Sequence, residues 1–140
     1  MKIVRATYWD DVGKLILRLI VAILMGFHGA SKLKHGISWM AGPLHAHHLP
    51  MFVGYGVYVA EVIAPVLLIV GIFTRPAGLA IAFDMVMALA LVVQGKAFEL
   101  QAQGGGLGAE LQFLYLFSAL AIAFFGSGRF ALSKGRGRWD

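Results

Sequence analysis

Apolar residues dominate four stretches, about 13–33, 51–73, 76–94 and 109–125, and polar stretches separate them. At about 1.5 Å of rise per residue, some 20 apolar residues cross the hydrocarbon of a bilayer. The pattern predicts one helix per stretch and an all-α fold: an integral membrane four-helix bundle forming a single domain over residues 1–140. The connections fit this reading. Met1–Gly13 is a polar lead whose Tyr8 and Trp9 suit the headgroup boundary, with Asp10 or Asp11 as cap of the first helix. Lys34–Pro50 reads as a loop, Thr74-Arg75-Pro76 as a tight turn, and Gly95–Gly108 as a loop ending in the flexible Gly104-Gly-Gly-Leu-Gly108. Gly126-Ser-Gly128-Arg129 ends the fourth helix, and a basic tail follows.

The polar positions inside the apolar stretches carry more information than the stretches themselves. Arg18, His28, Gly29 and Lys32 fall on one face of the first helix. A charge at the centre of a bilayer costs at least about 2.5 kcal/mol, so this face must meet protein or a wet cavity, and other helices must supply counter-charges. Glu61 lies near the middle of the second stretch, Asp84 near the middle of the third, and Glu110 at the start of the fourth, where it also suits a helix N-terminus or a partner such as Lys32. Pro65 cannot donate to the carbonyl of Glu61, which predicts a kink at the residue carrying the midplane acid. Gly54 and Tyr58 share the face of Glu61, and Ala77, Ala80 and Ala88 share that of Asp84. Arg18, nearer one end, suits a register or snorkelling role as well as a site. His28 suits a packed position as well as a site.

Composition agrees. Of 140 residues, 59% are hydrophobic and 14% charged, and the mean hydropathy is +0.78. This excludes an ordinary soluble domain. The absence of cysteine excludes disulfides, iron–sulfur ligation and thiol redox chemistry by the chain itself. The pI of about 9.8 is explained by basic residues flanking apolar runs, and no nucleic-acid partner is expected. Arg18 interrupts the first run and no small-residue cleavage site follows it, so a retained span is expected rather than a signal peptide. With four crossings both termini share one side. That side collects Lys2, Arg5, Lys14, Arg75, Arg129, Lys134, Arg136 and Arg138, against Lys32, Lys34 and Lys96 opposite, which predicts cytoplasmic termini.

Several chemistries are disfavoured. His28 lacks an intramembrane partner for haem, and no flavin, dinucleotide or P-loop fingerprint occurs. His45, His47 and His48 form a tract of metal-ligand type, but no Cys, Asp or Glu lies near, and an interfacial connector is the expected role. Any electrons must be carried by a bound organic molecule such as a quinone.

Arg18, then ten residues, then Gly29-Ala-Ser-Lys32-Leu33; Glu61; Gly71-Ile-Phe-Thr74-Arg75-Pro-Ala; the acid-bearing third helix; Glu110; and Gly126-Ser-Gly128-Arg129 occur in an order and spacing that resembles the DoxX family of small bacterial membrane proteins. The resemblance implies a four-span bundle in the bacterial cytoplasmic membrane. It also implies an association with quinol oxidase, thiosulfate:quinone oxidoreductase, oxidative-stress or sulfur-handling systems. Arg18, Lys32, Glu61, Thr74, Arg75, Glu110 and Arg129 carry over; His28 and His45–His48 do not.

The leading expectation is a quinone-interacting subunit of a membrane oxidoreductase system, working with a partner redox protein. Glu61, with Asp84 or His28, would exchange protons with the quinone, and Lys32, Tyr58, Arg18 and Glu110 would line its site. Two other readings stay open on the same residues. One is a scaffold that recruits redox or stress-response partners; the other is a small transporter, which would need a homo-oligomer.

Overall fold

The computed structural model describes residues 2–102 and 104–140. The side chains of residues 2–7 lie outside the described part, and with them the expected placing of Lys2 and Arg5, as does Gln103 of the glycine loop. Helix α1 is a single element, Lys2–His35. It starts well before the expected position, because nothing from Ile3 to Gly13 breaks a helix, and Asp10 and Asp11 therefore sit inside it rather than capping it. Gly36, at φ 76°, stops it and donates its N–H to the Lys32 carbonyl at 2.8 Å.

The stretch expected to be a loop is partly helical. A 3₁₀ turn at Ser38–Met40 leads into α2, Ala41–Ala46, with Pro43 in the first turn, where a missing N–H costs nothing. Helix α3, Met51–Val70, changes pitch along its length. It is 3₁₀ over Met51–Tyr55, a π turn over Val59–Ile63 and α-helical over Ala64–Val70. Pro65 supplies the cause: with no N–H to return to Glu61, the ladder slips in the turn just before it. Gly71 closes α3 in the left-handed region at φ 78°, three residues before the expected end. Helix α4, Thr74–Phe98, is α-helical to Ala88, a π turn over Leu89–Val93 and 3₁₀ over Gln94–Phe98. A single antiparallel bridge between Leu100 and Leu107 then folds the glycine loop back, and α5 runs over Glu110–Phe125.

Three helical stretches, within Tyr8–His35, Met51–Val70 and Thr74–Phe98, are long and apolar enough to cross a membrane; α5 is apolar and shorter. All four contribute to one core. Ala22 and Met25 of α1, Leu68 of α3, Ile81 of α4, and Ala119 and Ile122 of α5 meet there. The outside is as apolar as the inside, with Phe27, Phe83 and Phe117 each about two-thirds exposed. An outward face of that kind belongs in hydrocarbon.

Small residues set the closest helix approach. A side chain at Gly78 of α4 would lie 2.8 Å from the carbonyl oxygen of Ala119 and 3.1 Å from the amide nitrogen of Ala123. Gly78→Val should therefore separate α4 from α5 and cost about 1–3 kcal/mol, visible as a lower midpoint in detergent unfolding. An unchanged midpoint would show that this contact does not hold the helices.

Candidate functional site

Helix α1 brings Lys32 to the π turn of α3. The Lys32 ammonium donates to both carboxylate oxygens of Glu61, at 2.6 Å to Oε1 and 2.5 Å to Oε2. Both side chains are withdrawn from solvent, Glu61 at 5% exposure and Lys32 at 17%. The approach depends on Gly29, one turn earlier on the same face. Any Cβ there would collide with the Glu61 carbonyl, the group that Pro65 leaves without a helical donor. The proline, the π turn and the glycine thus explain one another, and together they place Glu61 against Lys32. The Tyr58 hydroxyl donates to the Lys32 carbonyl at 3.4 Å, tying the same turns once more.

Asp84 completes the group from α4. It lines the same cavity as Lys32 and Glu61, a space of about 70 Å³ roofed by Trp39, Met40, Pro43 and Leu44. That is room for a few water molecules or for the polar edge of a ring. Next to the cavity lies an apolar cleft of about 310 Å³ between α3 and α4, which shares Asp84, Val57 and Met87 with it as lining and reaches the outward-facing Val59 and Phe83. One ammonium and two carboxyls therefore line a small, otherwise largely apolar cavity beside a lipid-facing cleft. Such a group can donate hydrogen bonds, accept them and pass a proton to a guest that arrives through hydrocarbon.

The other candidates lie elsewhere. Arg18 is fourteen residues from Lys32, about 21 Å along α1. It is fully buried, at 1% exposure, and donates to the carbonyls of Ser127 at 3.2 Å and Phe130 at 2.8 Å. Its counter-charge is not a carboxylate from another helix, as its position suggested, but the carbonyl oxygens of the segment after α5. His28 is exposed; its Nδ1 donates to the Leu24 carbonyl at 3.0 Å, and its ring stands edge-on to Tyr115 at 5.8 Å between centroids. It does not line the cavity. Glu110 is exposed beside Gly106, in a surface depression with Gln101 and Leu107, while Lys32 is engaged by Glu61. His45, His47 and His48 are exposed, and no cluster of three metal-ligating side chains occurs among the described residues.

The roof escaped the sequence reading because Lys34–Pro50 looked like a connector. A signal was present: Met40 and Leu44 stand four apart, the spacing of one helix face, on either side of a proline that starts helices well.

The DoxX family matches residues 13–94, which include Arg18, Lys32, Glu61 and Asp84. The chain belongs to the DoxX family. An uncharacterized protein of Haemophilus influenzae is 34% identical over 121 residues, covering 84% of this chain and 86% of that protein. A Bacillus subtilis protein with the printed name "Putative oxidoreductase CatD" is 31% identical over 122 residues, covering 87% of this chain and 85% of that protein. No solved structure matches the chain. Family and apolar helices together make this DoxX chain a membrane protein.

Proposed function

We propose that this DoxX protein is a quinone-interacting subunit of a membrane oxidoreductase system in the bacterial cytoplasmic membrane. In this reading α1, α3, α4 and α5 all cross. Lys14, Arg75, Arg129 and the basic tail face the cytoplasm, and α5, about 24 Å long, makes up its shortfall by local thinning of the bilayer. One observation carries the functional reading: Lys32, Glu61 and Asp84 line one small cavity, and Asp84 also lines the lipid-facing apolar cleft beside it. The oxidoreductase name of the Bacillus subtilis relative points the same way.

The residues present suit such a guest. Lys32 supplies a cation and donor for a carbonyl oxygen, Asp84 and Glu61 are two carboxyls of which either can hold a proton, and the cleft is apolar as a prenylated ring requires. A bound quinone supplies the electron chemistry that a chain without cysteine does not provide through its own thiols. Lys32 holds Glu61, Asp84 lines the same cavity, and the roof from Trp39 to Leu44 shields the group from bulk water.

The test is mass spectrometry of an organic extract of protein purified gently with native lipid. Quinone should be near-stoichiometric in the wild type and depleted at least about tenfold in a folded Glu61→Gln variant. Quinone no richer than in the surrounding lipid, or equal in both proteins, would overturn the reading.

A further inference from the structure

The cleft between α3 and α4 is unusual in how it treats its small residues. In membrane helices small residues draw neighbours together. Gly29 and Gly78 do so here, each pressed against the backbone of the next helix. Gly56 does not: a side chain built on it would meet nothing within 4 Å. Ala60 stands one turn further along on the same wall, and Ala80 of α4 faces the cleft from the other. Small residues on both walls thus leave a groove of about 310 Å³ open, and Val59 and Phe83 mark its lipid-facing rim. Asp84 lines it, and lines as well the adjacent cavity that holds Lys32 and Glu61.

We infer that this groove is a second recognition element, a seat for the first isoprenoid units of the quinone's side chain, and that Gly56 and Ala80 set the preference for long-tailed over tail-less rings. The inference rests on the quinone reading above. The occupant follows from adjacency. A ring whose oxygens reach Lys32 and Asp84 lies against this groove, which shares Met40, Leu44, Val57, Asp84, Met87 and Leu91 with the cavity and is apolar and open to hydrocarbon. The tail gains little by leaving lipid, because hydrocarbon is equally apolar; what it gains is close contact with fixed walls, a modest effect.

Gly56 has right-handed helical backbone angles, φ −56° and ψ −26°, so a larger residue fits the chain there without strain. The test reconstitutes the protein with Trp9→Phe and Trp139→Phe replacements, so that quenching of Trp39 in the roof reports ring binding. Two quinones of the same ring are compared, one with a long isoprenoid tail and one with none, each dosed per mole of lipid. The tailed quinone should bind about tenfold tighter. Gly56→Leu and Ala80→Leu should each remove that preference while leaving binding of the tail-less ring unchanged. Phe83→Ala, which widens the rim, should weaken it in part. Equal binding of both quinones by the wild type, or an undiminished preference in the folded leucine variants, would overturn the groove and leave the ring site standing. Failure of either quinone to quench Trp39 would overturn both together.

Discussion

Lys32→Met should destabilise the protein much more than Glu61→Gln, although the two residues form one ion pair. The reason is the third member. Three ionisable groups share the cavity, one cation and two acids. Glu61→Gln leaves Lys32 with Asp84 still lining the same cavity. Lys32→Met leaves two carboxyls facing each other in a chamber closed by apolar side chains. Removing one partner of a buried pair typically costs about 3–5 kcal/mol, because the remaining charge stays buried without compensation. The lysine variant should lie in that range. The glutamine variant should lie near the value of a single weakened hydrogen bond, about 1 kcal/mol. Adding Glu61→Gln to Lys32→Met should then restore part of the lost stability, the sign of two sites that act together. Unfolding midpoints of the three variants in one detergent decide the matter. Equal losses in the single variants would mean that Asp84 takes no part in holding Lys32.

The same cluster shows how far the sequence reaches. Glu61 and Asp84 were legible as a pair because charges are rare in apolar helices and both lie near the middle of their stretches. Lys32 was legible as a buried base, but depth put it nearer the outer end of its helix and did not single it out as their partner. The kink at Glu61 was legible from Pro65 four residues on. The partner of that kink was not, since Gly29 reads equally well as a small residue on any helix; only the docking of α1 on α3 gives it a purpose. Arg18 and His28 share a helical face with Lys32, and the face correctly pointed inward at Arg18. Periodicity says nothing about what waits on the other side, however, and a backbone carbonyl leaves no trace in a pattern of acids and bases. The early start of α1 and the helical roof were hidden for a related reason: both are amphipathic or polar elements at the ends of apolar runs, where hydropathy falls while helix propensity does not. The early end of α3 had a visible marker in Gly71, outweighed by the apolar residues that follow it.

Deleting residues 129–140 should cost as much as losing the ion pair, and Arg18→Leu should rescue a good part of the loss. The chain after α5 is not a free tail. It folds back across one end of the helices and is held by backbone groups. Leu132 donates its N–H to the Val70 carbonyl at 3.1 Å, the Ser133 hydroxyl donates to the Gly71 carbonyl at 2.9 Å, and the Arg75 N–H donates to the Trp139 carbonyl at 3.0 Å. The Arg75 guanidinium reaches the Asp140 carbonyl at 3.1 Å, and Asp11 pairs with Arg129 at 3.1 Å. Beneath this strap lies Arg18, a buried cation whose hydrogen-bond acceptors, the carbonyls of Ser127 and Phe130, come from this segment and the turn before it. Without the strap Arg18 keeps Ser127 and loses Phe130, a hydrogen bond from a charged group worth about 1.5–3 kcal/mol, on top of the strap's own lost hydrogen bonds. In the full chain Arg18→Leu should itself be destabilising, because it strands two buried carbonyls at about 1–3 kcal/mol. In the truncated chain the same substitution should stabilise, because the cation is then the greater burden in an apolar end. A reversal of sign between the two backgrounds is the expected result of the four-protein cycle. Additive losses would mean that the strap and Arg18 serve separate ends, and that the Gly126-Ser-Gly128-Arg129 turn holds the tail for some reason other than a buried arginine.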